Sequence, residues 1–197
     1  MAPEYTDVLQ RVKAGHKILD LACCFGQDIR RLVFDGAPAK HICGSELEQG
    51  FIDMGYELFK DRDTLTSKIT SGDFFAPETA DLEASSFDII HAASFFHLFS
   101  WDEQIEAVTR AVALLKPVTG STIFGRQIGV REASELKHPA ARSGSMWRHD
   151  ESSFAKMVGE VAEKTGIKLM CEVRAVENAQ WRVEEDWKLL RFCITLV

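Results

Sequence analysis

The 197 residues lack most of the signals that place a chain in a special class. No Cys-x-x-Cys spacing occurs, and the five cysteines (Cys23, Cys24, Cys43, Cys171 and Cys193) are an odd number, three of them within apolar runs. That speaks for free thiols in a reducing compartment and against a structural zinc site. No basic, then apolar, then small-residue succession opens the chain, so no secretory signal is read. The longest uncharged run, Ile89 to Trp101, is too short to span a bilayer and is broken by two histidines and two serines. An excess of basic charge is also missing. Lys and Arg number 23 against 30 Asp and Glu, a net charge of -7 that repels phosphate backbones and disfavours nucleic acid as a partner. No repeat, low-complexity tract or Gly/Ser linker divides the sequence. What remains is the profile of one cytoplasmic globular domain, 46% hydrophobic and 27% charged.

What the sequence does have is alternation. Short apolar runs at Lys17–Leu21, His41–Ser45, Lys68–Ser71, Phe87–Ala93 and Ser121–Ile128 read as buried strands. Between them lie helical spacings at Gly26–Val33, Glu48–Phe59 and Trp101–Leu115, the last with Ile105, Val108, Val112 and Leu115 on one face and Lys116-Pro117 as its stop. Asp150 is a good N-cap for a further helix to Lys164, and two late strands follow at Lys168–Val176 and Trp187–Leu196. Residues 4–13 allow at most a short helix. The expected fold is α/β: one doubly wound, Rossmann-like, mostly parallel seven-stranded sheet with helices on both faces. The last two strands, joined by a helix-free loop over 177–186, should pair antiparallel at an edge.

In such sheets a ligand sits beyond the carboxyl ends of the strands. The first strand ends in Asp20-Leu21-Ala22-Cys23-Cys24-Phe25-Gly26, a turn leading into a helix. The second ends in Glu46-Leu47, twenty residues beyond Gly26, where an acid can accept both hydroxyls of a ribose. Glu48 competes for that role but fits better as a first-turn helix acid. The third strand ends in Asp73-Phe74-Phe75, a carboxylate for an adenine amino group and an aromatic ring to cover the base. Ser94, Phe95, Phe96 and His97 follow the fourth strand, and Arg126 and Gln127 close the fifth. His97 is a candidate base, and Arg126 offers a planar fork for a carboxylate. His91 reads as a packed core histidine, His149 as a turn residue, and the Phe95, Phe96 and Phe99 group as core and pocket wall.

The stretches KILDLACCFGQDIRRL, GSELEQGFIDMGYELFKDRD, HAASFFHLFSWDEQ and GRQIG resemble the class I S-adenosylmethionine-dependent methyltransferases, and among them the fungal secondary-metabolite O-methyltransferases of the meroterpenoid type. The resemblance runs from about Ile18 to the final strand. It implies one methyltransferase domain over 1–197: a leader over 1–16, a cofactor-binding core over 17–128, and a substrate-side insertion with the last helix and edge strands over 129–197. The implied cofactor is S-adenosyl-L-methionine, anchored by Asp20 at the turn, Glu46 at the ribose, and Asp73 and Phe74 at the adenine. Ala22, Gly26, Leu47, Phe75 and Ser94 complete the set. The implied reaction is methyl transfer to a carboxylate or hydroxyl oxygen of a small hydrophobic metabolite, with His97 catalytic, Arg126 and Gln127 holding the acceptor, and no metal. A homodimer is compatible with this reading. Two departures motivate an alternative, an inactive methyltransferase-fold protein serving as a binding or partner module. Ala22 and Cys24 stand where the family's turn usually has glycine, and the leader is short for the family. A nicotinamide oxidoreductase is disfavoured, because Ala22-Cys23-Cys24 makes a poor pyrophosphate seat.

Overall fold

The computed structural model describes residues 4–76, 82–176 and 186–197. Its strands follow the order β3-β2-β1-β4-β5-β9-β8 in one seven-stranded sheet, with β6 and β7 as a separate two-stranded ribbon. Two compact units divide the chain, Met1–His91 with Leu114–Lys116, and Ala92–Ala113 with Pro117–Val197. Among the described residues no helix is long and apolar enough to cross a membrane.

The first unit holds α1 (Tyr5–Lys13), β1 (Ile18–Leu21), α2 (Gln27–Phe34), β2 (Ile42–Glu46), α3 (Gln49–Phe59), β3 (Lys68–Ser71) and β4 (Ile89–His91). All three strand pairings are parallel, β2 with β3, β1 with β2 and β1 with β4. Every residue of β1 is buried, Asp20 included, as expected of a strand covered on both faces. Gly55 of α3 shows how closely the turn after β1 is gripped. A Cβ there would stand 2.4 Å from the Phe25 carbonyl oxygen, so only glycine lets the helix lie against that turn.

The second unit holds α4 (Trp101–Leu114, whose last residue belongs to the first unit), β5 (Thr122–Val130), β6 (Ser134–Lys137), β7 (Ser145–Arg148), α5 (Glu151–Thr165), β8 (Leu169–Val176) and β9 (Trp187–Leu196). β9 pairs antiparallel with both β5 and β8, as expected for the last two strands. The loop read over 177–186 lies, up to 185, outside the described residues. α5 starts on a reciprocal cap in which Asp150 accepts from the Ser153 N–H and the Ser153 hydroxyl accepts from the Asp150 N–H. It packs on the sheet through Phe154 against Phe192, ring centroids 4.9 Å apart.

Three details differ from the sequence reading. The buried stripe of α4 is centred one residue earlier: Gln104, Ala107, Val108, Ala111 and Val112 are buried, while Ile105 is only half-buried. Gln104 is polar yet fully buried because its amide has three partners. Its Nε2 donates to the Phe99 and Trp147 carbonyls, and its Oε1 meets His149 Nε2 at 3.1 Å. His149 is accordingly no mere turn residue but the buried centre of this network, its Nδ1 2.9 Å from the Ser153 hydroxyl. The β6–β7 ribbon, unforeseen, has too little apolar alternation to announce itself. It is held by the Trp147 N–H on the Phe99 carbonyl.

Candidate active site

Among the described residues of the first unit, the turn after β1 gathers three left-handed residues within five positions. Ala22 and Cys24 both lie in the left-handed region, with φ of 57° and 52°, and Gly26 follows at 66° as the residue before α2. Hydrogen bonds hold this shape: the Cys23 N–H on the Ser45 carbonyl, the Gly26 N–H on the Cys23 carbonyl, and the Cys24 N–H on Glu46 Oε2 at 2.9 Å. A side chain in the left-handed region costs about 1–2 kcal/mol, partly offset by glycine's greater freedom in the unfolded chain. Ala22→Gly and Cys24→Gly are therefore each expected to raise stability by about 0.5–1 kcal/mol in urea denaturation. A loss of stability in both would mean that the turn is not strained.

Carboxylates surround the turn. Asp20 is buried in β1, in register with His91 of β4, and its Oδ1 lies 2.8 Å from His91 Nδ1. His91 is thus hydrogen-bonded as expected, but to the site's own acid. Burial pushes the Asp20 carboxyl above its ordinary range, His91 opposes that, and the nearby charges of Asp28 and Glu46 add to it. Asp20, the exposed Asp28 in the first turn of α2, and His91 each bring one ligand atom within 4.8 Å of the others. Such a group suits a positively charged ligand. Glu46 ends β2 buried, Oε2 taking the Cys24 N–H and Oε1 the Glu48 N–H at 3.2 Å. Each oxygen has a second lone pair for a further donor. Glu48 occupies the cap position of α3 rather than its first turn, and its side chain makes no cap hydrogen bond. Leu47 stands 60% exposed beside Glu46. Asp73 accepts the Phe75 N–H at 2.9 Å, and Phe74 and Phe75 are buried edge to face.

Sequence reasoning missed the residue that clamps this turn. Arg30, one turn into α2, donates through Nη1 to the Phe25 carbonyl at 2.6 Å and makes two bonds to Asp61 at 2.7 and 2.8 Å. Its guanidinium also stacks on the Phe59 ring, 4.6 Å from the centroid. The available signal was its place four residues after Gly26, which turns its side chain back over the helix start.

In the second unit Ser94 is exposed with φ of 56°, its N–H on the Arg126 carbonyl. His97 lies in a 3-10 turn over Phe96–Leu98, and its buried Nδ1 has no hydrogen-bond partner among the described residues. Phe95 and Phe96 are buried and Phe99 half-buried, and Phe96 lies against Phe192, so this group is core as expected. Arg126 and Gln127 do not close the fifth strand, because β5 runs on to Val130; Arg126 is exposed in mid-strand, but Gln127 is fully buried and its amide has no partner among the described residues. Successive strand residues face opposite sides, so the Arg126–Gln127 pair read from the sequence is split between two faces.

Burial pushes the imidazoles of His97 and His149 down to about 4. Both are neutral at pH 7, and below pH 6.5 the unfolded chain takes up protons that the folded one refuses. Stability is therefore expected to fall as the pH is lowered from 6.5 towards 4, by up to about 3 kcal/mol per histidine. Urea midpoints across that range check this; a flat profile would contradict the burial of both rings.

Comparison with known proteins places the chain among methyl-transferring families. The methyltransferase domain model matches residues 18–118. The O-methyltransferase phiE of a fungal species is 40% identical over 182 residues, 91% of this chain and 60% of that protein. O-methyltransferase atr3 of Stereocaulon alpinum is 36% identical over 96% of this chain and 55% of its own length. The chain thus spans about three-fifths of the curated relatives it matches. Among solved structures, a S-adenosylmethionine-dependent methyltransferase from Methanosarcina mazei superposes with a TM-score of 0.69 at 12% identity, covering 99% of this chain and 97% of that one. The [4+2]-cyclase SpnF superposes at 0.67 and 15% identity, covering 98% of this chain and 80% of its own. A cyclase on this fold means that the fold alone does not name the reaction.

Proposed function

This chain belongs to the methyltransferase-domain family, and on that footing we propose that it binds S-adenosyl-L-methionine in its first unit and methylates an oxygen of a small hydrophobic secondary metabolite. The observation that carries the reading is the charge of the turn. Asp20, Asp28 and Glu46 act together there, which favours a cationic ligand and repels the pyrophosphate of a dinucleotide. Glu46 would hold the ribose through its remaining lone pairs, Leu47 and Phe74 would flank the adenine, and Asp73 would accept its amino group. Asp20 and Asp28 would face the methionine ammonium.

When bound, the cofactor supplies a methyl group on a sulfonium, already a good electrophile. The protein has then to orient the acceptor and manage one proton. A carboxylate acceptor is ionised at pH 7 and needs no base, only a cation such as Arg126 to align it. A hydroxyl acceptor must lose its proton, and His97 would be a weak base for it, because the burial that keeps the ring neutral also disfavours its charged form. Calorimetric titration with S-adenosylmethionine should give saturable heat at one site. No heat would favour the second reading, a binding module, which the glycine-poor turn motivates. With activity in hand, aromatic acids and matching phenols assayed against Arg126→Lys and His97→Ala separate the acceptor types. Arg126→Lys should slow acids, and His97→Ala should slow phenols.

A further inference from the structure

β4 is apolar until its last residue. Ile89 and Ile90 are fully buried, and His91 follows as the one polar side chain of the strand. The register gives that histidine a particular neighbour. Asp20 of β1 stands between Gly44 of β2, which has no side chain, and His91 of β4. Gly44 is also closed to a replacement donor, since a Cβ there would lie 2.6 Å from Ile29 Cδ1 and 2.9 Å from Cys23 Sγ. Of the two strand neighbours only His91 can meet the carboxylate, and its Nδ1 lies 2.8 Å from Asp20 Oδ1. An ionised carboxylate only accepts, so the proton of this bond sits on Nδ1.

The groups facing Asp20 come from several elements and do not act alike. Asp28 of α2 and Glu46 of β2 oppose its ionisation, as burial does, and His91 is the group that favours it. The Cys23 thiol of the turn is kept neutral by its own burial. The Asp20 side chain is only 8% exposed and that of His91 16%. A carboxyl so placed among acids would keep its proton at neutral pH without the imidazole. Its second oxygen, Oδ2, takes no hydrogen bond among the described residues and is the one left to receive a ligand.

We infer that His91 is a positioning residue of the cofactor site: its Nδ1–H fixes Asp20 Oδ1 and keeps the carboxylate charged, so that Oδ2 receives the α-ammonium of S-adenosylmethionine. This rests on the proposed cofactor and concerns its amino-acid portion alone. The adenosine portion falls to Glu46 and Asp73 and needs nothing from the imidazole. A histidine that merely filled the end of β4 would affect both portions alike.

The test is calorimetry on the whole chain with S-adenosylmethionine and with 5′-methylthioadenosine, which has the same nucleoside and no amino-acid portion. At pH 7 His91→Leu should weaken S-adenosylmethionine about tenfold or more and change methylthioadenosine less than about twofold. His91→Asn, whose amide can donate from near the place of Nδ1, should recover most of the loss. The deficit of His91→Leu should also shrink between about pH 6 and 8, as Asp20 without its imidazole gains charge. The ligand's own ammonium titrates alike with both proteins, so the ratio of the two affinities reports on Asp20. If His91→Leu does not fold, nitrogen-15 NMR of the unaltered chain decides. The His91 ring should carry its proton on Nδ1, and its signals should move far more with S-adenosylmethionine than with methylthioadenosine. Equal losses for both ligands, a deficit independent of pH, no rescue by asparagine, or ring signals that move equally would reduce His91 to a structural role. Failure of the unaltered chain to bind S-adenosylmethionine removes the proposed cofactor and the inference together. Binding by the unaltered chain that His91→Leu leaves intact removes the inference alone.

Discussion

Arg30→Met is expected to cost about 3–4 kcal/mol of stability and to weaken S-adenosylmethionine binding at the same time. The side chain is 9% exposed and its partner Asp61 19% exposed. Removing the guanidinium therefore strands a largely buried carboxylate and leaves the Phe25 carbonyl without its donor. Methionine keeps the apolar stem against Phe59, so what is measured is the charge and the fork rather than a cavity. Arg30→Lys should recover only part of the loss, because one ammonium cannot span both Asp61 oxygens and the carbonyl of the turn. The control is Arg62→Met. Arg62 pairs with Asp53 at a similar 2.8 Å, yet the two are 56% and 44% exposed, and such a pair is worth less than about 1 kcal/mol. Urea denaturation of both variants decides the matter. Equal, small losses would mean that the turn stands without Arg30.

Much of this fold is legible in the sequence because burial on both faces demands it. Ile18, Leu19 and Leu21 of β1 and Ile89 and Ile90 of β4 put apolar side chains on both faces, and a central parallel strand hides such residues completely. The acids at the strand ends are legible for a related reason. A carboxylate where apolar residues stop must find donors, and Asp20, Glu46 and Asp73 each do. The left-handed Ala22 could be anticipated only through the resemblance, because nothing in alanine itself signals a positive φ.

The features that escaped depend on pairing across long separations. Arg126, Arg174 and Arg191 are unremarkable in the chain and become one row only through the register of three strands. Gln104 and His149 lie 45 residues apart and look like surface residues until each is seen to satisfy the other. Arg30 reads as half of a basic pair on a solvated helix, and Asp61, which makes it a clamp, lies 31 residues further on. Periodicity reports which face a residue is on. It does not report the partner that makes a buried charge tolerable.

Glu46→Gln is expected to cost about 2 kcal/mol of stability and to weaken S-adenosylmethionine binding by about ten- to a hundredfold. The carboxylate accepts the Cys24 N–H through one oxygen and the Glu48 N–H through the other. An amide keeps one acceptor and turns an NH2 towards the second N–H, so one charge-assisted bond becomes a contact between two donors. A ribose bound there would lose one of its acceptors as well. A counter-effect exists, since removing a negative charge near Asp20 relieves repulsion. That repulsion is the smallest of the influences on Asp20, behind burial, His91 and Asp28, so the lost hydrogen bond wins. Glu48→Gln two residues away should change stability by no more than about 0.5 kcal/mol, because its side chain is exposed and caps nothing. The comparison also guards the register of the site. Should Glu48→Gln do the greater damage to cofactor binding, the functional acid is the one that opens α3, and Glu46 serves only to hold the turn.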